Sequence, residues 1–135
     1  MNKLSFVTTI MRVVLGIIFL AHGFDKFQMG LGNVSGWFDS MGVPGFFAYI
    51  AAVLELVGGI MLIIGLFSRY VSTLFVIMLI SAIFMMKLSA GLLGGAEGAG
   101  YELDLGLMMV ALYLVVAEPS PLSVDYLLRR KHTTK

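Results

Sequence analysis

The stretch "FFAYIAAVLELVGGIMLIIGLF" (residues 46–67) carries a single charge, Glu55, in an otherwise apolar run. At about 1.5 Å per residue a helix of this length crosses a hydrocarbon core of about 30 Å. Lipid offers no hydrogen-bond partners, so a lone spanning segment must satisfy its own backbone, and that means a helix. The rest of the chain agrees. Of its 135 residues, 59% are hydrophobic and 13% charged, with a mean hydropathy of +0.98. Soluble domains carry about 25% charged residues, and a water-soluble core of this size cannot hide so much apolar surface. Net charge is +1 and no basic stripe with interleaved aromatics is present, which excludes nucleic acid as a partner class. The absence of cysteine excludes disulfides, thiolate catalysis and thiolate-ligated iron–sulfur clusters.

Apolar stretches at about 5–24, 46–66, 70–88 and 101–118 predict an all-α membrane protein, a four-transmembrane-helix bundle forming a single domain over residues 1–135 with a tail at 119–135. The first stretch contains Arg12 and lacks a small-residue cleavage pattern after it, so it reads as an uncleaved helix. The fourth is the shortest, which places Glu102 and Asp104 at its interfacial end or recesses the helix among its neighbours. Lys3, Arg69, Arg129, Arg130, Lys131 and Lys135 lie on one side against Lys26 and Lys87 on the other, which predicts both termini in the cytoplasm of a bacterial or archaeal cell, with the plasma membrane as location. "GLFSRY" (65–70) is a tight helical hairpin, and the glycine-rich connections at 25–45 and 87–100 face outward as loops, with Pro44 marking the entry to the second helix. Trp37, Phe38, Phe46 and Phe47 suit an interface. "LSVDYLLRR" (122–130) is either a short amphipathic helix on the inner surface, with Leu122, Tyr126 and Leu127 against lipid, or a tail held by charge alone.

An ionised carboxylate in mid-bilayer costs about 2.5–3.5 kcal/mol on insertion scales, so Glu55 needs a partner. Counted from the cytoplasmic helix ends, Arg12 lies about 10 Å deep, Glu55 about 16 Å and His22 about 26 Å. Arg12 and Glu55 are therefore expected to answer each other. Ala48, Ala51, Ala52, Glu55, Gly58 and Gly59 share one small-residue face, and Arg12, Gly16, Phe19 and Gly23 form a matching stripe, so the first two spanning helices should pack closely. Such a pair either fixes helix register only or takes a direct part in binding or proton movement. Near the outer ends His22, Lys26, Lys87, Tyr101, Glu102 and Asp104 converge, with Glu102 on the face of Gly106, Met109 and Tyr113 and Asp104 pointing elsewhere. This is either ordinary helix-end chemistry or a polar mouth for a quinone or phenol, whose ring tolerates an apolar slot while its oxygens need donors and acceptors. Haem with two histidine ligands is excluded, because His132 lies in the tail; ligation by His22 with Met85, Met86, Met108 or Met109 is the remaining haem option, and the methionines read better as packing. Residues 91–100 lack the ending of a phosphate loop, and no metal set is apparent.

"RVVLGIIFLAHGFDKF", "MGVPGFFAYIAAVLELVGGIMLIIGLFSRY" and "YELDLGLMMVALYLVVAEPSPLSVD" together resemble the DoxX family of small four-helix bacterial and archaeal membrane proteins. Arg12, His22, Lys26, Glu55, Gly58, Gly59, Arg69, Tyr101, Glu102 and Asp125 match the family pattern. The resemblance implies an oxidoreductase association, in some members with quinone-reducing sulfur oxidation, oxidative-stress complexes or the handling of catechols and quinones. Two departures stand out: Lys87 replaces a histidine common in relatives, which weakens a histidine-based redox site, and "EPSP" replaces a glycine–proline turn. The resulting expectation is a membrane oxidoreductase component that binds a quinone or related aromatic. Glu55, Arg12 and His22 are the catalytic candidates, and His22, Lys26, Glu55, Tyr101 and Glu102 the ligand-binding ones. Electrons would come from a soluble redox partner, a bound cofactor or the quinone itself. A non-enzymatic carrier of phenolic compounds and a scaffold for soluble redox enzymes are the competing expectations.

Overall fold

The structure, a computed structural model, describes residues 3–87, 91–95, 98–117 and 123–133, without the side chains of residues 86, 87, 99 and 129–133. Helix α1 (Lys3–Met29) is followed by the short α2 (Leu31–Ser40), α3 (Phe46–Ile64) and α4 (Ser68–Ala82), which continues as a π-helical turn (Ile83–Lys87). A two-residue antiparallel ribbon, β1 (Gly94–Gly95) with β2 (Gly98–Ala99), precedes α5 (Glu102–Val116), and α6 (Val124–Thr133) ends the described chain. The segments Lys3–Met29, Phe46–Ile64 and Ser68–Met85 are long and apolar enough to cross a membrane. Helix α5 has 15 residues, about 22 Å of rise.

The expected loop at 25–45 is largely helical. Helix α1 runs five residues past Phe24 to Met29, because nothing in "DKFQM" breaks a helix until Gly30, whose φ of +91° turns the chain. Helix α2 then buries Val34 and Phe38 with Val43 and Ala48 of the α3 entry. Phe38 is thus a packing residue rather than an interfacial one, while Trp37, Phe46 and Phe47 stay exposed. Asp39 closes the joint by accepting the Gly45 N–H at 2.9 Å. Leu88, Glu118 and Leu122, named above, lie outside the described residues.

Packing follows the small-residue faces. A Cβ on Gly16 would stand 2.7 Å from the Gly59 carbonyl oxygen, and one on Gly59 would stand 2.7 Å from that of Gly16. Gly23 meets the Leu56 nitrogen at the same distance. The two backbones therefore touch, antiparallel, with Gly16 facing Gly59–Ile63 and Gly23 facing Ala52–Leu56. Behind this seam lies the apolar core of Leu15, Phe19, Leu62, Phe75, Leu107 and Ala111 with their neighbours. The Phe19 and Phe75 rings stack at 3.8 Å, and Phe75 also closes over Gly58. Large apolar side chains cover the outside, as a lipid-facing surface requires.

The end of the bundle at the α3–α4 turn is tied together by Asp125. Helix α3 ends at Gly65 (φ +75°), and Phe67, a non-glycine residue at φ +51°, leads into α4. Asp125 accepts the N–H groups of Phe67 at 2.7 Å and Ser68 at 2.8 Å, while its own N–H donates to the Gly65 carbonyl at 2.9 Å. Of the two readings of the tail, residues 124–133 take the helical one. Gly59→Leu is expected to prise α1 from α3 at a cost of about 1–3 kcal/mol. A thermal-denaturation midpoint in detergent should fall by several degrees, whereas Gly36→Ala, at a glycine with open space around it, should not lower it.

Candidate functional site

Glu55 is buried, and its partner is Lys26. The Lys26 Nζ donates to Oε1 at 2.9 Å and to Oε2 at 2.7 Å, with 8% of the Glu55 side chain and 21% of the Lys26 side chain exposed. His22, one turn before Lys26 on α1, acts electrostatically on Glu55, as does Asp104 of α5. Three helices thus bring two acids, a lysine and an imidazole to one locality. His22 stands on the exposed side, at the level where Gly23 meets Ala52 and Leu56. The arrangement offers N–H donors from Lys26, a carboxylate acceptor, and a histidine able to take or give a proton beside them.

The expected Arg12–Glu55 pair does not form. Arg12 is buried, at 2% exposure, but packs at the other end of the seam against Gly65 and Ser123, where the charge acting on it is that of Asp125. The cause is register. The Gly16–Gly59 contact sets Arg12 opposite residue 63 or beyond, so eight or more residues, about 12 Å or more, separate it from Glu55. Depth counted from helix ends underestimated this gap, because the N-terminal part of α1 continues beyond the end of α3. Gly65, lacking a Cβ, leaves the space that the guanidinium fills.

A second correction concerns α5. Its buried stripe is Asp104, Leu107, Ala111 and Leu114, while Glu102 is exposed. Asp104 is the inward acid, and it, not Glu102, is among the charges acting on Glu55. The spacing i, i+3, i+7, i+10 from Asp104 carries that signal in the sequence itself. Tyr101 is half-buried just before α5 and joins the preceding loop through its N–H to the Gly91 carbonyl at 3.2 Å. Tyr113 pairs with Thr8 at 2.6 Å, linking α5 to the N-terminal part of α1. A separate open crevice of about 810 Å³ runs between α3 and α4, lined by apolar and aromatic side chains including Tyr49, Val53, Val57, Met61 and Tyr70. Among the described residues no group of three His, Asp or Glu side chains is placed to hold a metal ion.

A profile of the DoxX family matches residues 7–88, the segment that holds Arg12, His22, Lys26 and Glu55. The chain belongs to the DoxX family. Among its curated relatives is "Putative oxidoreductase CatD" of Bacillus subtilis (strain 168), 39% identical over 118 residues that cover 87% of this chain and 84% of the relative. "Uncharacterized membrane protein Rv3486" of Mycobacterium tuberculosis is 30% identical over 90% of this chain and 81% of its own length. "Inner membrane protein YqjF" of Escherichia coli is 25% identical over 97% and 99% of the two chains. No solved structure matches the chain. With these membrane relatives and three apolar helices of spanning length, this DoxX protein is a multi-pass integral protein of the cell membrane.

A double-mutant cycle distinguishes the two pairings in this DoxX protein. Removing one member of a buried ion pair strands the other at a cost of about 3–5 kcal/mol, so Lys26→Met and Glu55→Gln should each destabilise strongly. The double variant should recover much of the loss. Arg12→Gln combined with Glu55→Gln should be additive, since the two residues share no contact. Denaturation midpoints in one detergent provide the comparison.

Proposed function

We propose that the protein is a membrane oxidoreductase component that binds a quinone or related aromatic beside the Lys26–Glu55 pair. The observation that carries this reading is a carboxylate–ammonium pair held between apolar spans with a histidine on its open side. Quinone oxygens need a donor when oxidised, and protons when reduced. Lys26 and His22 supply the donors, and Glu55 with His22 can deliver protons. Reduction to the quinol consumes two electrons and two protons; the chain's own side chains supply no electrons, so these come from a soluble redox partner protein or a bound cofactor of flavin type. The word oxidoreductase in the name of the Bacillus subtilis relative supports the class.

The accompanying topology is a bundle of four crossings, α1, α3, α4 with its π-helical turn, and α5, with both termini inside. Helix α5 packs on α4 and shares its core, which allows a 15-residue span to be recessed among longer ones. Because the chain has no native cysteine, single cysteines at Leu93 and Lys135 can be labelled selectively in sealed vesicles. They should react from opposite faces; reaction from the same face would mean that α5 does not cross.

Binding is tested with a short-chain ubiquinone and the purified protein by titration calorimetry. Saturable binding is expected, with affinity reduced roughly tenfold or more by Glu55→Gln, about 1.4 kcal/mol, and unaffected by Glu102→Gln. Absent binding, or equal affinity in the Glu55→Gln variant, overturns the reading. Passage of the compound across vesicles without change of oxidation state would instead assign the site to a carrier.

A further inference from the structure

We propose that α6 is an anionic-lipid-binding helix, held at the inner membrane surface by a clamp made of Ser123, Asp125 and the α3–α4 turn. The proposal rests on the inner placement of the tail given above, but the helix itself is defined by contacts in the structure. Ser123 is buried and its Oγ accepts the Tyr126 N–H at 3.1 Å, which caps the first turn of α6. Asp125 bonds to the backbones of Phe67 and Ser68 at the start of α4, and to Gly65 at the end of α3. Its negative charge suits the positive end of the α4 dipole, and the same charge acts on Arg12 below. One aspartate therefore joins the tail to α4 through its carboxylate, to α3 through its backbone N–H and to Arg12 of α1 through its charge.

The clamp uses one face of α6 and leaves another free. Val124, Leu127 and Leu128 stand at i, i+3 and i+4, so they form a single edge. Leu127 is 62% and Leu128 46% exposed, although nothing in the described chain covers them. The sequence then continues Arg129, Arg130, Lys131. The sequence of α6 holds one acid, Asp125, whose carboxylate is engaged by the clamp, and its basic residues follow the exposed leucines in the sequence. With ten residues, about 15 Å, starting at the α4 entry point, α6 stays within the interfacial zone. An apolar edge that inserts between acyl chains, flanked by cations for phosphate headgroups, fits an anionic bilayer surface better than a water-facing protein.

The test uses full-length protein carrying Leu128→Cys, the only thiol in the chain, labelled with an environment-sensitive nitrobenzoxadiazole probe. The protein is placed in nanodiscs of phosphatidylcholine alone or with about half phosphatidylglycerol, and the probe is quenched by brominated lipid. Both leaflets of a disc have the same composition, so the result does not depend on the orientation proposed above, which the vesicle labelling checks separately. Quenching is expected to be roughly twofold or more stronger in the anionic discs, with the difference removed by high salt or by the combined Arg129→Gln, Arg130→Gln and Lys131→Gln changes. Asp125→Asn should weaken quenching in anionic discs while the protein still elutes as a single folded species. Equal quenching in both lipids overturns recognition of anionic headgroups. An unquenched probe in both overturns the membrane-surface role and leaves α6 as a docking helix for a soluble protein. Full quenching in the Asp125→Asn variant overturns the clamp.

Discussion

Two backbones in contact set nearly everything that follows in this molecule. Where Gly16 and Gly59 meet, neither helix has room for a side chain, so α1 and α3 can slide past each other only by losing their closest packing. In lipid, where no hydrophobic force drives helices together, such close approach and the dispersion contacts it permits are the main source of association. The register it imposes decides which charges meet. Lys26 comes down on Glu55 and Arg12 is carried away from it. A one-turn slip would move the two helices by about 5.4 Å and separate the ion pair, so packing and electrostatics reinforce one alignment.

Polar groups consequently sort into two clusters at opposite ends of the seam. One gathers Lys26, Glu55, His22 and Asp104 from α1, α3 and α5. The other gathers Arg12, Ser123 and Asp125 around the α3–α4 turn. Between them lies the apolar core with its stacked Phe19 and Phe75. The separation divides labour as well as charge. At the turn, Asp125 and Ser123 accept hydrogen bonds from backbone N–H groups at helix starts, whereas the other cluster pairs the Lys26 and Glu55 side chains with an exposed imidazole beside them.

Composition and periodicity carried the membrane class, the helical content and the small-residue faces of α1 and α3, because these depend on which residues recur and not on their absolute depth. The family was readable for the same reason: Arg12, His22, Lys26, Glu55 and Asp125 keep their order along the chain. What failed was a distance. Helix ends in the sequence are uncertain by several residues, and an error of that size at 1.5 Å each exceeds the reach of a side chain, so Arg12 was matched to the wrong acid. Asp104 was counted in the cluster but set pointing elsewhere for a different reason. Glu102 opens α5 in a family motif and drew the reading, although the apolar period through Leu107, Ala111 and Leu114 points back to Asp104. The helical character of residues 25–40 was masked by glycine content, since packing of Val34 and Phe38 on Ala48 overrides weak local propensity.

The tail clamp has an implication for how the molecule is made. Arg12 leaves the ribosome 113 residues ahead of Asp125. At about 5–20 residues per second, that is an interval of roughly 5–25 s during synthesis. The guanidinium meets the charge of Asp125 only after that interval, and the amide donors that open α4 wait for their acceptor in the meantime. The end of the bundle at the α3–α4 turn is therefore completed only once α6 has left the exit tunnel and its aspartate reaches the turn.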